Sequence, residues 1–387
     1  MHSSNNVGGR AALRIGIDCH QSSGIFQGSR THILELFSRV IAACPDFQFL
    51  LFADEPQVLR AFSESFSLSN ATLLKIRRLD PVRRLCWQLP RLSWQHGLDI
   101  LHTQYISPPV FHGHAVVTIH DLLFESHPQF FTPLFRLRSR LLFRRSAKQA
   151  AHVFTVSEFS KSEIMGRYGV ASEKITVIHN GVDRSRFYPG KSAIEVIYKY
   201  GLNSGGFILS VGRLEPRKNY LTLLRAYARL ITPKPPLVII GQCDFRFDAI
   251  FREIQRLRLG GTVRCLQDVG DADLPAFYRH ASLFVYPSWA EGFGMPVLEA
   301  LASGTPVITS DTTSIPEVVG TAGILVEPSD IETLSSSMAM LLNSSDLCDR
   351  MRRSGVIQAA KFEWEKAAMR VRYVYENVGC PVQLQAV

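Results

Sequence analysis

The sequence predicts an α/β protein of two doubly wound, Rossmann-like domains with a cleft between them. Three features carry that prediction. At 387 residues the chain exceeds the size at which one core keeps growing, so two domains are the default. Short apolar, β-leaning runs alternate with helical stretches in both halves, the pattern of parallel sheets with crossover helices. Loops rich in glycine, serine or charge follow several of those runs, at the carboxyl edge where open sheets bind ligands.

The totals narrow the class. An apolar fraction of 46% and a charged fraction of 20% are globular values. No run approaches the roughly 20 apolar residues of a membrane span. No apolar core of signal-peptide length precedes the first strand, so the expected location is the cytoplasm. The 7 cysteines are scattered and lack a C-x-x-C pair, which fits reduced thiols better than a disulfide framework or a zinc site. His112 and His114 lie two apart, as metal ligands could, but with no third ligand nearby ordinary strand-end histidines are the simpler reading. Charge is uneven: residues 1–190 hold 22 Lys+Arg against 14 Asp+Glu, and residues 191–387 hold 21 against 20. The basic character lives in the first half.

Leu13 to Asp18 (LRIGID) reads as a buried first strand, followed by the loop HQSSGIFQGSR, kept pliable by Gly24 and Gly28, and a helix from Thr31 to about Ala43. Phe47 to Phe52 and Asp99 to His102 read as further strands. Val116 to Leu122 (VVTIHDL) is an apolar run ending in His120 and Asp121; on residue grounds alone such a histidine is more often structural than catalytic. Phe135 to His152 is a helix in which Arg136, Arg140, Arg144 and Lys148 recur every fourth residue as one stripe, with Leu137 and Leu141 beside it and Phe135, Leu142 and Phe143 toward the core. A solvated basic face and contact with an anionic membrane surface both remain open for that stripe. The earlier stretch KIRRLDPVRRLCWQLPRLSW repeats the mixture of arginine and aromatic residues. A strand from His152, a helix capped by Ser157, a last strand and turn over Ile175 to Asp183 (ITVIHNGVD) and a charged, proline-containing linker complete this half.

In the second half Phe207 to Val211 is a strand and Gly212 a tight exit. Arg213 and Lys218 lie on the loop before a helix that starts near Asn219. Leu237 to Gly241 and the run from Val263 add two strands, and the loop around Val269 follows. Leu283 to Val285 and Pro306 to Ile308 are strands that enclose a loop and a helix. Pro296 suits the first turn of that helix and Gly304 the position just past its end, so it runs from about Met295 to about Ser303. The amides near Val297 and Leu298 are then expected to lack partners, which makes a phosphate seat. Gly292 and Gly294 let the backbone approach a ligand, and Arg213 and Lys218 at the same edge suit a diphosphate. Glu291 and Glu299 bracket the turn. Carboxylates in a phosphate site repel unless they receive hydroxyls, so the expected ligand carries both groups and is a sugar nucleotide.

The stretch EGFGMPVLEALASGTPVI resembles the E-x7-E element of retaining GT-B glycosyltransferases, the group 1 / family 4 type that includes mannosyltransferases, sucrose-phosphate synthase and glycogen synthase. The bland alternative is a βαβ unit whose glycines serve only turns, and the further matches from LRIGID to the terminal helix weaken it. The resemblance implies an N-terminal acceptor-side domain over 1–186, a linker over 187–203, a nucleotide-sugar domain over 204–362, and a helix and tail over 363–387 that cross back. It implies sugar transfer from a nucleotide diphosphate with retention. Mannose from GDP-mannose is the first choice, going to a saccharide or lipid-linked saccharide acceptor in cell-surface polysaccharide synthesis. By resemblance, Glu299 holds the ribose hydroxyls, and Glu291 with the backbone of Gly292, Phe293, Gly294, Met295 and Pro296 holds the donor sugar. His120 meets that sugar from the opposite domain, and Val269 lies near the base. Arg213, Lys218 and the amides near Val297 and Leu298 take the diphosphate charge. Gly24 is assigned to the donor phosphates, although this loop is longer and poorer in glycine than the family's. No metal and no cofactor beyond the donor substrate is implied, since Asp271 to Asp273 (DAD) lies in the wrong loop for a metal-binding pair. The expected partners are donor and acceptor, with contact to an anionic membrane face left open, and not nucleic acid. A GT-B-shaped sugar-nucleotide epimerase and a non-catalytic binder are the rivals, and the E-x7-E element argues for transfer.

Overall fold

The structure, a computed structural model, describes residues 12–22, 28–190 and 192–379; Gly24 lies outside the described residues. The first domain is built on β1 (Arg14–Asp18), β2 (Gln48–Ala53), β3 (Ala71–Lys75), β4 (Ile100–Gln104), β5 (His114–Thr118), β6 (His152–Thr155) and β7 (Ile175–Val177). These run in the order β3-β2-β1-β4-β5-β6-β7. The second is built on β8 (Ile208–Val211), β9 (Leu237–Ile240), β10 (Val263–Leu266), β11 (Leu283–Tyr286), β12 (Val307–Ser310) and β13 (Ile324–Val326), in the order β10-β9-β8-β11-β12-β13. All pairings are parallel. Central strands such as β11, and β1 between its charged ends Arg14 and Asp18, are apolar because helices cover both faces. Strand order reverses between β1 and β4 and again between β8 and β11, and such switch points open a crevice at the carboxyl ends of the strands.

The sequence reading missed two strands, and both are edges. Both are only partly buried; β3 breaks its apolar residues with Thr72, and β13 is an apolar run of just three residues, Ile324 to Val326. The first helix begins at Gly28, three residues before Thr31. Phe187, Ile197 and Leu202, within the segment 187–203, are buried in the second domain's core with Phe207 and Phe277.

Two contacts tie the domains together. The terminal helix Trp364–Gly379 buries Ala367, Ala368, Val371 and Tyr375 against Ile33, Phe37 and Val40 of the first domain. Its Tyr375 hydroxyl meets His102 Nδ1 at 2.5 Å. From the second domain, the Glu317 carboxylate accepts the amides of Glu158 (2.8 Å) and Phe159 (2.7 Å) at the start of the helix Glu158–Tyr168. A carboxylate at that end of a helix also meets the positive end of its dipole.

The helix Pro133–Gln149 corrects the expected core-facing side. Its buried side is Ser139, Phe143, Ser146 and Ala147, while Phe135 is exposed rather than in the core. Residues four apart advance about 40° more than one helical turn, so the four basic residues spread over about a third of the circumference. Arg136 is half-buried and Arg140 reaches Glu125 at 3.7 Å, whereas Arg144 and Lys148 lie outside.

Candidate active site

A cleft of about 510 Å³ lies between the two carboxyl edges. The helix start at Gly28, Tyr105, His120, Asp121 and Asn180 line it from the first domain. Arg213, Arg217, Lys218, Val269 and the run Glu291 to Pro296, with Glu299, line it from the second. Most of the residues singled out in the sequence are therefore brought together. Val297 and Leu298 are not; both are fully buried in the core.

The open amides expected of a phosphate seat lie earlier in the chain than expected. The helix runs from Met295 to Ala302, but the amides of Val297 and Leu298 both bond the Gly294 carbonyl, at 3.0 and 3.2 Å. A tight first turn thus satisfies them, and Pro296 has no N–H to offer. The amides of Gly292, Phe293, Gly294 and Met295 make no hydrogen bond among the described residues, and these four residues line the cleft. The open donors therefore belong to the turn before the helix. Gly294 has φ of +104°, which a side chain would strain. Gly292 answers a different need from the expected one: a Cβ there would stand 2.8 Å from Asp121 Oδ2, so its bareness lets the two domains meet.

Glu291 is the centre of the second-domain wall. Its Oε1 accepts from Lys218 Nζ (2.8 Å), the Tyr286 hydroxyl (2.8 Å) and the Ser288 hydroxyl (2.6 Å), and its Oε2 from Arg217 Nη1 (3.0 Å). Burial works to raise its pKa, but Arg217 and Lys218 outweigh this and hold the carboxyl at about 2. Lys218 ends the short turn Pro216–Lys218 and also donates to the Tyr286 hydroxyl at 2.5 Å. Burial, and then the neighbouring Arg217, lower its pKa against the opposing pull of Glu291. An ammonium has three N–H groups, so one is left over. Arg213 pairs with Asp244 through Nη1, and its Nε is buried without a partner among the described residues.

Glu299, one turn into the helix, accepts the Tyr278 hydroxyl at 2.8 Å. Burial raises its pKa to about 7, against that hydrogen bond and the Arg186 charge, so near neutrality it is poised between acid and carboxylate. Asp271, from the DAD stretch, holds Arg186 at 2.9 Å, and Asp273 accepts from Tyr200 at 3.2 Å. No cluster of three or more metal-ligating side chains occurs among the described residues.

Apart from Asp121, neutral groups make up the first-domain wall. His120 is buried, meets Gln104 Oε1 through Nε2 at 2.9 Å, and packs edge-on to His32 with ring centroids 4.6 Å apart. Burial, then His32 and His102, push its pKa well below that of a free imidazole. His32 in turn meets Asn180 Oδ1 at 2.7 Å, and Asn180 comes from the ITVIHNGVD string.

Sequence reasoning overlooked Arg217, Tyr286 and Tyr278. Arg217 adjoins Lys218 in the same EPRKN loop, so its signal was present; the tyrosines sit on a strand and a helix where apolar packing is the default for an aromatic residue. Asp121 was seen only as the end of a strand, and nothing local marks its contact with Gly292.

Comparison with known proteins adds to this geometry. The model described as Glycosyltransferase Family 4 matches residues 26–186, and that described as Glycosyl transferases group 1 matches residues 199–356. O-antigen chain mannosyltransferase B of Escherichia coli is 32% identical over 337 residues, covering 84% of this chain and 88% of that protein. O-antigen chain mannosyltransferase RfbU of Salmonella typhimurium is 31% identical over 234 residues, covering 60% of this chain and 62% of that one. The solved structure of Anabaena HepE in complex with UDP-glucose shares the fold, with a TM-score of 0.77 at 17% identity over 94% of this chain and 100% of that one. With each half matched by its own model, and two parallel sheets facing one cleft, the chain belongs to the group 1 / family 4 glycosyltransferases and has the GT-B fold.

Proposed function

We propose that this glycosyltransferase moves mannose from GDP-mannose to a saccharide acceptor of cell-surface polysaccharide synthesis, with retention at the anomeric carbon and without a metal. The choice of mannose is supported by the two O-antigen chain mannosyltransferases at about 30% identity. An epimerase or a simple binder is not favoured by relatives that are transferases.

The leaving group is a diphosphate, so the barrier falls most where charge developing on it is met by prepaid donors. One observation carries the metal-free reading: the buried cation Lys218 is held in place by Glu291 and Tyr286 yet keeps an N–H to spare, beside the unpartnered Nε of Arg213 and the open amides of Gly292 to Met295. Glu291 has three donors on Oε1 and Arg217 on Oε2. That occupancy suits fixed electrostatic support of the anomeric centre, with no lasting covalent bond. Glu299 takes the ribose hydroxyls, His120 reaches the sugar as a neutral donor or acceptor, and Val269 packs near the base.

The test is a donor panel. GDP-mannose, GDP-fucose, UDP-glucose and UDP-galactose are each supplied alone, and thermal shift and nucleotide release are followed with and without EDTA. The expected result is stabilisation by GDP-mannose, by about 2.7 kcal/mol at 100 times its dissociation constant, with slow hydrolysis that EDTA does not change. A new sugar nucleotide would identify an epimerase, and a strict need for a divalent ion would overturn the metal-free mechanism.

A further inference from the structure

We propose that the first domain docks on an anionic lipid bilayer through the outer face of the helix Pro133–Gln149 together with the adjoining tryptophan-bearing segment. On that helix Leu134 is 78% exposed, Leu137 62% and Leu141 63%. At 3.6 residues per turn these three share about a third of the circumference with Arg138, Arg144, Arg145 and Lys148, all exposed. The helix is therefore apolar on the side that faces solvent, and its inward side is anchored by Phe143 and small residues. Core packing does not account for three outward leucines in one stripe, and contiguous exposed apolar surface marks an interaction site.

The face continues beyond the helix. Arg145 bonds the Pro109 carbonyl at 3.2 Å, and Val110 beside it is 69% exposed. In the same loop His112 donates its amide to the Ser93 hydroxyl at 3.0 Å and its ring packs on Trp94, with centroids 5.1 Å apart. Trp94, Arg91 and Trp87 follow at helical spacing; both tryptophans are more than half exposed, and the Arg91 guanidinium lies 5.5 Å over the Trp87 ring.

Charge selects the occupant. Neither residues 133–149 nor residues 81–96 contain an Asp or Glu, while they hold five Arg plus Lys148 and three Arg respectively. A second copy of the same face would bring like charges together. An anionic bilayer instead takes leucines into its acyl boundary and tryptophans at headgroup level, while arginine stems lie along the apolar surface with their heads at the phosphates. No helix among the described residues is long and apolar enough to cross a membrane, so the contact lies in the plane of the interface.

The test uses the full chain with vesicles of phosphatidylcholine alone or mixed with phosphatidylglycerol. Binding is expected on the mixed vesicles, weakening steeply with salt. Arg138→Gln and Arg145→Gln, each made singly, are expected to lower partitioning about fivefold, or about 1 kcal/mol. The double variant Leu137→Ser/Leu141→Ser keeps the charge and is expected to lower it at least as much, with an unchanged thermal midpoint because these side chains are exposed. Equal binding to neutral vesicles would overturn the proposal. So would serine substitutions that abolish self-association in sedimentation velocity while vesicle binding persists, since the occupant would then be a second copy.

Discussion

Across the cleft, the first domain presents Asp121 and otherwise uncharged side chains, backed by histidines that burial keeps neutral, whereas the second presents ion pairs. His32 is lowered to about 4 by burial, against its bond to Asn180, and His102 to about 3 by burial and then His32. Opposite them Glu291, Arg217 and Lys218 form a buried charged cluster, and Arg213 pairs with Asp244. A wall of one kind suits hydroxyls and the other a diphosphate. The difference explains how a GT-B enzyme can divide its work: the proposed donor's charge is met by cations in one domain, and the other adds contacts that, Asp121 aside, carry no charge of their own.

Removing one member of the charged wall should have the largest effect. Lys218→Met leaves Glu291 buried with Arg217 as its remaining cation. Breaking a buried pair costs about 3 kcal/mol of stability, read by urea unfolding, and losing a donor to the leaving group costs about a hundredfold in kcat. A variant that keeps both stability and turnover would erase the distinction between the walls.

Next come the opposite signs of pH dependence. A buried histidine whose folded pKa is depressed below its unfolded value of 6.5 is protonated more readily in the unfolded chain, so its contribution is present above about 6.5 and is lost as pH falls toward about 4 for His32. Glu299 is raised from 4.5 to about 7, so its contribution is present below about 4.5 and is lost as pH rises toward about 7. Each group accounts for about 1.4 kcal/mol per pH unit inside its window. Between pH 4.5 and 6.5 the two effects oppose, and Glu299→Gln is expected to steepen the loss of stability on acidification by removing the opposing one. Thermal unfolding of parent and variant at several pH values checks this; parallel profiles would mean that Glu299 does not titrate as described.

The smallest expected effect lies where the walls touch. Gly292→Ala would place a methyl 2.8 Å from Asp121 Oδ2 and 3.0 Å from its Cβ, so the domains must part slightly. A loss of about tenfold in kcat/KM, about 1.4 kcal/mol, is expected with little change in unfolding midpoint. Asp121→Ala in the same background should restore part of it, whereas a loss that Asp121→Ala leaves untouched would place the strain elsewhere.

Much of this was legible in the chain, unequally between the walls. Second-domain features are local: Glu291, Gly294, Pro296 and Glu299 fall within nine residues, and Arg213 and Lys218 within six, so strand, loop and helix signals place them together. The first wall is assembled from distant pieces. His32, His120 and Gln104 meet because β1, β4 and β5 lie side by side, and Asn180 joins His32 from beyond β7, which no short window reveals. The misplaced phosphate seat has a local cause: a generic helix leaves its first amides free, but here a left-handed Gly294 turns its carbonyl onto those of Val297 and Leu298.

The division of labour within the charged wall rests on its two glutamates, and steady-state kinetics with GDP-mannose test it most directly. Glu291 lies in the ion cluster beside the proposed sugar, and Glu299 accepts only from Tyr278 among the described residues, with Arg186, Asp271 and Glu35 as its charged neighbours. Measured with one donor and a saccharide acceptor, Glu291→Gln should lower kcat by about a hundredfold with little change in the donor KM, and Glu299→Gln should raise that KM with kcat nearly kept. The reverse pattern, with Glu299→Gln losing turnover at unchanged KM and Glu291→Gln losing only affinity, would contradict the assignment of both.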